Sequence, residues 1–320
     1  MHYLVTGATG FVGGRLTRMI LARGTAVTAL ARPSDRARAL RRLGVRVVHG
    51  DLGTGQGLAE ALRGADRVIH LAAVVKARLA ADYWTVNRDG TARLVRALAA
   101  CPSPPRLVLC SSLAAGGPAS PYGAAPVSVY GASKLAGEQA ARALAGRVPT
   151  VILRPGIVYG PGEPALLPAL LPMIRLGLAV KAGLGPRRYC LVYVDDLCAA
   201  LLAAAGHGRT VEPGDPRAGL YPISDGAVYH WRDICRAVAR AAGRRDPLMV
   251  PLPMPAVYAA AALAELAGAA WGRVPALNRD KAREMRCADW TCVPDDAVRD
   301  LGFGATVRPA QGFAAALGAR

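Results

Sequence analysis

A tyrosine and a lysine lie four residues apart in the run YGASK, at Tyr130 and Lys134. The surrounding alanine-rich pattern predicts a helix, and at this spacing both side chains project from one helix face. A cation beside a phenol favours the phenolate, and lowering a tyrosine pKa from about 10 to near neutrality requires about 4 kcal/mol. A tyrosine adjusted in this way can exchange a proton with a carbonyl oxygen. The same spacing also joins unrelated surface side chains, so the pair needs support from the elements that position it.

The first such element is a glycine-rich turn near the start of the chain. The run TGATGFVGG places Gly7, Gly10 and Gly13 between an apolar strand pattern and a helical pattern. Glycines at these points let the backbone turn sharply and approach a pyrophosphate, which accepts hydrogen bonds at the helix N-terminus. We therefore predict dinucleotide binding, with a tight turn that holds no ligand as the alternative. The turn residues expected to contact the cofactor are Gly7, Thr9, Gly10, Phe11, Val12 and Gly13.

The end of the second predicted strand decides which dinucleotide this turn accepts. An acid there would bind the ribose hydroxyls and repel a 2′-phosphate, but the chain runs through Arg32 and Ser34 before it reaches Asp35. Arg32 can pair with a phosphate, and Ser34 can donate a hydrogen bond to it. We expect NADP, with NAD possible if Arg32 is simply a solvated residue of an arginine-rich protein.

Three further short apolar strands follow, separated by helical patterns, at 45–49, 67–71 and 106–111. This alternation predicts an α/β fold, a doubly wound parallel sheet of the Rossmann type with helices on both faces. Such sheets bind ligands beyond the carboxyl ends of their strands. We expect Asp51 and Leu52 to hold an adenine there, and Ala72 and Ala73 to leave room for the cofactor.

Two serines, Ser111 and Ser112, end the last of these strands shortly before Tyr130. A hydroxyl at this edge of the sheet faces the ligand site. Serine, tyrosine and Lys134 are therefore predicted to arrive at one place from adjacent elements. Asn87 lies in a predicted helix, VNRDGTARLV, where an asparagine is solvated unless the fold turns it inward.

The 320 residues carry 40 basic and 22 acidic side chains, a formal net charge of +18. The basic residues are mostly scattered arginines and only 5% of residues are aromatic, which argues against a nucleic-acid surface. The seven cysteines include no CxxC pair and no zinc-like spacing, so no metal site is expected. No signal peptide precedes the first strand, and we expect a cytoplasmic, reducing setting.

One apolar stretch, residues 250–271, has the length of a membrane span. It contains Pro251, Pro253, Pro255 and Glu265, so we expect a buried or lid-forming helix and no integral span. Core packing is the simplest role for its small apolar residues. The alternatives are the wall of a hydrophobic pocket and contact with a membrane surface.

Together these motifs resemble those of the extended short-chain dehydrogenase/reductase family, also called the NAD-dependent epimerase/dehydratase family. In order, they are TGATGFVGG, HLAA, VNRDGT, CSS, YGASK, LRPGIVYGPG and YVDDL. The resemblance implies that Ser112, rather than Ser111, polarises the substrate oxygen and that Tyr130 transfers the proton. It also implies that Lys134 binds the nicotinamide ribose and lowers the pKa of the tyrosine.

The resemblance implies further roles. Asn87 would support a proton relay or the backbone of the active site, and Pro155 and Gly156 would pass over the nicotinamide. The chain from Ser224 to the C-terminus resembles dihydroflavonol reductases and 3β-hydroxysteroid dehydrogenases, and a homodimer is possible because dimers are common in the family. Asp196 in YVDDL is expected to cap the next helix.

We expect the Rossmann domain to cover 1–162, extended by parts of 189–230, with a smaller substrate-binding region at 163–188 and 231–320. The leading functional hypothesis is an NADP-dependent oxidoreductase that interconverts a ketone and a secondary alcohol on a mainly apolar small molecule. A nucleotide-sugar epimerase or dehydratase is the second hypothesis, for which the diphosphate candidates are Arg187 and Arg188. The third is a non-catalytic NADP-binding sensor or scaffold.

Overall fold

The apolar runs on both sides of the glycine turn form β-strands in the computed structural model, which describes residues 1–118, 120–272 and 274–318. The strands are β1 (His2–Thr6), β2 (Ala26–Ala31), β3 (Arg46–His49), β4 (Arg67–His70), β5 (Arg106–Cys110), β6 (Thr150–Pro155), β7 (Ile157–Tyr159), β8 (Leu178–Ala182), β9 (Arg188–Tyr189), β10 (Leu191–Tyr193), β11 (Leu220–Ile223), β12 (Tyr229–His230), β13 (Leu248–Leu252) and β14 (Asp289–Trp290).

The connections between strands are mostly helical. The helices are α1 (Phe11–Ala22), α2 (Asp35–Arg42), α3 (Leu58–Leu62), α4 (Ala80–Tyr83), α5 (Thr91–Ala99), α6 (Leu113–Gly116), α7 (Val129–Arg142), α8 (Leu166–Arg175), α9 (Val194–Gly206), α10 (Trp231–Ala241), α11 (Met254–Ala270), α12 (Arg279–Arg286), α13 (Asp295–Leu301) and α14 (Pro309–Gly318). A π-helical segment, Trp84–Gly90, joins α4 to α5 without a break.

Seven strands of the described chain form the central sheet, in the order β11, β6, β5, β4, β1, β2, β3. All neighbouring pairs in it are parallel. Parallel neighbours need long crossover connections, which the intervening helices provide. The strand order reverses between β1 and β4, and ligands of such sheets bind at this switch point. The predicted doubly wound Rossmann fold is confirmed.

Two apolar clusters cover the opposite faces of this sheet. On one face, Leu16 of α1 and Leu201 of α9 are fully buried in the larger cluster. On the other face, Leu94 and Leu98 of α5 pack with Leu107 of β5. Burial of each such leucine contributes roughly 2 kcal/mol. Because both faces are covered, the strands are apolar on both sides, which explains the continuous apolar runs in the sequence.

The chain beyond β6 builds a smaller region and also returns to the sheet, where β11 pairs with β6. Strands β12, β9 and β14 form one small sheet, and β8 and β13 form another. The apolar stretch 250–271 contributes to β13 and forms α11, which packs on α12. Within the described ranges, no helix combines the length and hydrophobicity needed to cross a membrane.

The predicted helix cap at Asp196 is wrong, because Asp196 lies inside the first turn of α9 and Tyr193 is the N-cap residue. Its carboxylate instead accepts hydrogen bonds from the hydroxyl and the amide of Thr306, at 2.6 and 3.1 Å, and from the amide of Val307, at 3.2 Å. Asp196 therefore fastens the C-terminal segment to the helix layer of the sheet. Partners so far apart along the chain leave no local sequence pattern.

Candidate active site

Helix α7 carries both Tyr130 and Lys134 near its start. Ser128 caps this helix, because its side chain accepts a hydrogen bond from the amide of Gly131 at 2.9 Å. Gly131 also lets the helix approach its neighbour: a Cβ at this position would lie 2.4 Å from the carbonyl oxygen of Ala114. The four-residue spacing therefore holds both side chains on one helix face, close to the end of β5.

Lys134 reaches the last residue of β5. Its Nζ donates a hydrogen bond to the carbonyl oxygen of Cys110 at 2.8 Å, and the side chain is buried. Burial lowers the pKa of the Lys134 ammonium from its ordinary value. Burial also raises the pKa of the Cys110 thiol, which keeps that thiol uncharged and unreactive. The amine of Lys134 is thus fixed at the edge of the sheet where ligands bind.

Tyr130 is held as an uncharged phenol. Burial raises the pKa of Tyr130 well above its ordinary value, and the nearby hydroxyl of Ser112 opposes part of that rise. The expected lowering of this pKa by Lys134 is therefore not observed, because the lysine is bonded to Cys110 and loss of hydration dominates. A phenol that keeps its proton at neutral pH is the form that can donate one to a carbonyl oxygen.

The two serines at the end of β5 have different partners. The hydroxyl of Ser111 donates to the buried carboxylate of Glu138, which also forms a two-pronged ion pair with Arg154 at 2.8 and 2.6 Å. Ser112 lies outside that network: its Oγ accepts a hydrogen bond from the amide of Ala114 at 3.2 Å, and it lies near enough to the Tyr130 phenol to oppose part of the rise in its pKa. The geometry thus favours Ser112 over Ser111 as the hydroxyl that meets a ligand.

Asn87 is turned inward from the π-helical segment Trp84–Gly90 and is buried. Its Nδ2 donates to the carbonyl oxygen of Val74 at 2.9 Å and to the hydroxyl of Ser133 at 2.9 Å, while its Oδ1 accepts from the amide of Val74 at 2.8 Å. The side chain thus ties the segment after β4, which contains Ala73, to the helix that carries Tyr130. A supporting role for Asn87 in catalysis stays a prediction.

A buried histidine that the sequence analysis did not single out lies behind this segment. His70 ends β4, and its ring nitrogens lie 2.6 Å from Oγ1 of Thr6 and 2.9 Å from Oγ1 of Thr91. Burial, and to a lesser extent the positive charge of Lys134, lowers the pKa of His70 to about 3. The ring is therefore neutral and structural at physiological pH. Its only signal in the sequence is a polar residue that ends an apolar strand.

The glycine turn has the close backbone approach that a dinucleotide requires. Gly7 has a φ of +73°, and a Cβ there would lie 2.6 Å from the amide nitrogen of Ala72. A Cβ on Gly13 would lie 2.1 Å from the carbonyl oxygen of Gly7. Helix α1 begins at Phe11 after Gly10, which provides no side-chain cap. The amides of Phe11 and the following residues of the first turn are therefore placed to bind an anion.

Two arginines lie beside this turn. Arg32 follows β2, its side chain is 82% exposed, and its Nε lies 3.8 Å from Oδ2 of Asp51. Arg36, which the sequence analysis did not assign, donates from Nη1 to the carbonyl oxygen of Thr9 at 3.4 Å. Ser34 is the N-cap residue of α2 between them. Exposed guanidinium groups beside a glycine turn can bind a phosphate.

The remaining predicted cofactor residues lie near strand ends. Leu52 is buried after β3. Pro155 ends β6, and the amide of Gly156 donates to the carbonyl oxygen of Ile223 at 3.0 Å. A Cβ on Gly156 would lie 2.6 Å from the sulfur of Cys190, so this position requires glycine. The backbone here is fixed between β6, β11 and β10.

Two acids of α12, which no local pattern in the sequence indicates, hold the start of the helix that carries Tyr130. Asp280 accepts hydrogen bonds from the amides of Val129 at 2.7 Å and Tyr130 at 3.1 Å. Glu284 accepts a hydrogen bond from the hydroxyl of Ser128 at 2.7 Å. Carboxylates at a helix N-terminus are favoured by the helix dipole. The C-terminal region therefore completes the support of Tyr130.

The surroundings of Tyr130 are mainly apolar. The ring of Tyr83 lies 6.1 Å from the ring of Tyr130, between centroids. One apolar cluster adjoins the phenol on the side of the C-terminal region, and it includes Leu113, Ala114, Val127, Tyr189, Trp290 and Cys292. This cluster borders Tyr130 beside the two acids of α12, and Glu284 is near enough to add to the rise in the pKa of Tyr130.

The two arginines considered for a diphosphate already have partners. Arg187 is buried and donates from Nε to the carbonyl oxygen of Met285 at 3.1 Å. Arg188 pairs with Asp289 at 2.5 Å. Arg187 therefore fastens the start of β9 to α12, and Arg188 joins β9 to β14 within the small sheet.

Comparison with known proteins agrees with this geometry. The sequence profile of the NAD-dependent epimerase/dehydratase family matches residues 3–217. The chain belongs to this family. It is therefore an NAD(P)-dependent enzyme of the short-chain dehydrogenase/reductase type, and the family resemblance predicted from the motifs is confirmed.

Two reductases and an epimerase are among the similar proteins. A ceramide reductase of Caulobacter vibrioides is 34% identical over 90% of this chain and 84% of its own length. A 4-hydroxy-2-methyl-3-oxo-4-farnesyl-3,4-dihydroquinoline-1-oxide ketoreductase of Stigmatella aurantiaca is 30% identical over 98% of this chain and 95% of its own. The structure of a UDP-glucuronic acid 4-epimerase from Bacillus cereus with NAD has a TM-score of 0.75 at 20% identity, covering 100% of this chain and 98% of that chain, which shows the shared fold.

Proposed function

We propose that this enzyme is an NADP-dependent oxidoreductase that interconverts a ketone and a secondary alcohol on a mainly apolar, amphiphilic molecule. The observation that carries the proposal is the placement of the Ser112 hydroxyl beside a Tyr130 phenol that keeps its proton, with the amine of Lys134 one turn further along the same helix. A proton donor and a hydroxyl that face one point are what reduction of a carbonyl requires.

Each residue of the site has a distinct task in this reaction. Bound NADPH would supply the hydride to the carbonyl carbon. Ser112 donates a hydrogen bond to the carbonyl oxygen, and Tyr130 transfers its proton to that oxygen, so that C=O becomes CH–OH. Solvent then returns a proton to Tyr130, and the amine of Lys134 binds the nicotinamide ribose. Asn87 keeps the adjoining backbone in place.

The cofactor site supports NADP over NAD. The bare glycine turn and the uncapped start of α1 suit a pyrophosphate. Arg32 and Arg36 would flank a 2′-phosphate, with the hydroxyl of Ser34 as a further donor. Asp51 and Leu52 would hold the adenine, and Pro155 and Gly156 would adjoin the nicotinamide. No acid stands at the end of β2 to bind a free ribose hydroxyl.

A long-chain ketone is the substrate class that the apolar surroundings of Tyr130 favour. The two related reductases are named after a ceramide and a farnesylated dihydroquinoline, which both combine a polar head with long apolar chains. A nucleotide-sugar substrate is less well supported, because Arg187 and Arg188 are bonded within the protein. A non-catalytic sensor would not need the hydroxyl of Ser112 beside the phenol of Tyr130.

The organisation of the chain is part of the proposal. We assign the substrate-binding region to 163–188 and 231–320, and the cofactor domain to 1–162 with parts of 189–230. Contact between α12 and the start of α7 supports that division, because it joins a substrate region to the catalytic helix. We also propose a homodimer, which follows from the family resemblance alone. We further propose a cytoplasmic setting, which the seven free cysteines support because a reducing compartment keeps thiols unpaired.

A panel assay tests the function. The purified protein is mixed with NADPH or NADH and with long-chain 3-oxo esters, 3-oxo amides, UDP-sugars or GDP-sugars, and both cofactor oxidation and product are measured. We expect NADPH oxidation with the long-chain ketones and about a 10²–10⁴-fold loss of that rate in Tyr130→Phe. Turnover of a nucleotide sugar without net oxidation of cofactor would replace this function by the epimerase alternative.

A further inference from the structure

The outer face of α11 has no charged side chain. The outward positions of this helix are Pro255, Ala256, Ala259, Ala260, Leu263, Leu266, Ala269 and Ala270. Leu263 and Leu266 are 66% and 69% exposed, and Trp271, directly after the helix, is 75% exposed. The one charged side chain of the helix, Glu265, is bound by Arg279 at 2.6 Å. A helix on the surface of a water-soluble domain normally presents charged residues to solvent.

The inner face of α11 is already satisfied by the protein. Val257 and Ala261 are buried with Ala282 of α12 in a separate apolar cluster. The helix is therefore packed on one side and apolar on the other, over a length of about 25 Å. Its outer face is the convex surface of a helix and not a groove, so a flat apolar layer suits it better than a single small ligand.

A second exposed apolar segment lies near the first, at 74–79. Val75 and Leu79 are 59% and 65% exposed. The amide of Ala77 in this segment donates to the hydroxyl of Tyr83 at 3.2 Å, and Asn278, at the start of α12, lies near enough to Tyr83 to oppose the rise that burial causes in its pKa. Tyr83 thus joins the segment to the chain that follows α11. The segment is linked through Tyr83 to α12, on which α11 packs, and the ring of Tyr83 lies 6.1 Å from the ring of Tyr130.

The charges of the segment 74–79 indicate which kind of partner binds the two apolar surfaces. Lys76 and Arg78 stand between Val75 and Leu79, and no acidic residue occurs from 67 to 81. The whole chain carries a formal net charge of +18. A second copy of the protein would place like charges opposite one another, whereas an anionic lipid surface offers both apolar chains and negative headgroups.

We propose that the outer face of α11 and the segment 74–79 together dock on an anionic lipid bilayer. Leu263, Leu266 and Trp271 enter the boundary between headgroups and acyl chains, and Lys76 and Arg78 contact the lipid phosphates. Docking in this way presents the Tyr83 side of the active site to the bilayer, so that an amphiphilic ketone enters without crossing water. The benefit for catalysis rests on the proposed function, whereas the binding itself does not.

Vesicle flotation tests the docking without any turnover. The full chain is mixed with vesicles of phosphatidylcholine alone or with added phosphatidylglycerol, and the fraction that floats is measured. We expect flotation with the anionic vesicles that weakens in high salt, and at least about a tenfold loss of partitioning in the double variant Leu263→Glu/Leu266→Glu. Leu43→Glu is the matched control, because Leu43 is also an exposed leucine but follows α2 beside the edge strand β3.

Further measurements separate docking from its alternatives. Trp271 fluorescence should shift to shorter wavelength on anionic vesicles, and Trp271→Phe should remove that change. The double variant should keep the thermal stability and the reduction rate of a short, water-soluble ketone, if the proposed function holds. The proposal would be overturned if the double variant floated as well as the natural protein, or if the natural protein bound phosphatidylcholine vesicles as well as anionic ones. A dimer in plain buffer that the double variant abolishes, with no vesicle binding, would also overturn it. If flotation is as expected but no ketone is reduced, the proposed function alone fails.

Discussion

Asp280 binds the backbone amide of Tyr130 at 3.1 Å, although the two residues are 150 positions apart. The other carboxylate oxygen of Asp280 binds the amide of Val129. A helix in the C-terminal region thus supplies the negative charge that the N-terminus of the catalytic helix favours. The position of the tyrosine depends on both parts of the chain, so the catalytic motif alone is not a complete site.

Removal of the carboxylate at 280 should weaken both folding and catalysis. Asp280→Ala leaves the amides of Val129 and Tyr130 without their partner, and we expect a loss of about 1–2 kcal/mol in the free energy of unfolding. The value of kcat should fall more than the affinity for NADPH, because the cofactor turn is distant from this contact. Asp280→Asn keeps one acceptor and should restore part of kcat. Urea unfolding and steady-state kinetics check this, and equal kcat values in all three proteins would contradict it.

The neighbouring serines should separate structure from chemistry. Ser112→Ala removes the hydroxyl that lies beside Tyr130, and we expect kcat to fall by about 10²–10³-fold with little change in stability. Ser111→Ala removes a bond to the buried Glu138 and should cost about 1–3 kcal/mol of stability, while kcat stays within about threefold. Kinetics and thermal unfolding of the two variants give the comparison. The reverse pattern would move the catalytic hydroxyl to Ser111.

His70 should make stability depend on pH. Its folded pKa of about 3 lies below the unfolded value of about 6.5, so its contribution is complete above pH 6.5 and is lost as pH falls towards 3. The full difference is about 4–5 kcal/mol. His70→Asn can keep bonds to Thr6 and Thr91 but cannot titrate. Urea unfolding between pH 7.5 and 4 should show a steeper loss for the natural protein, and parallel curves would refute the assignment.

The arginines beside the glycine turn should set cofactor preference. Arg32→Ala and Arg36→Ala each remove a charged donor for a 2′-phosphate, and we expect the KM for NADPH to rise about tenfold while that for NADH is unchanged. Arg38→Ala is the matched control, because Arg38 is also exposed on α2 but pairs with Asp35. An unaltered ratio of NADPH to NADH efficiency in both variants would remove NADP from the proposal.

Local sequence patterns were sufficient to predict most of the fold and the motif that contains Tyr130 and Lys134. Near Gly7 the order of strand, glycine turn and helix is a property of a short segment, and so is the four-residue spacing of Tyr130 and Lys134. Periodicity and residue type were therefore sufficient to predict both. The preference for Ser112 over Ser111 came only from the family resemblance, and the coordinates add that the hydroxyl of Ser111 is engaged by the ion-paired Glu138.

Long-range partners explain what the sequence did not reveal. Asp280 and Asp196 each bind backbone more than 100 positions away, and no local pattern records such a contact. The sign of the Tyr130 pKa shift was also missed, because it depends on how much water the phenol loses and not on its distance from a lysine in the sequence.

Transfer of a label from cofactor to product tests carbonyl reduction by Tyr130 most directly. A long-chain ketone that the enzyme accepts is incubated with NADPH deuterated at the hydride position, and the product is analysed by mass spectrometry and NMR. Our account predicts one deuterium on the new carbinol carbon for each NADPH consumed, with formation of that product about 10³-fold slower in Tyr130→Phe. Product formed without the label, or at an undiminished rate in Tyr130→Phe, would contradict it.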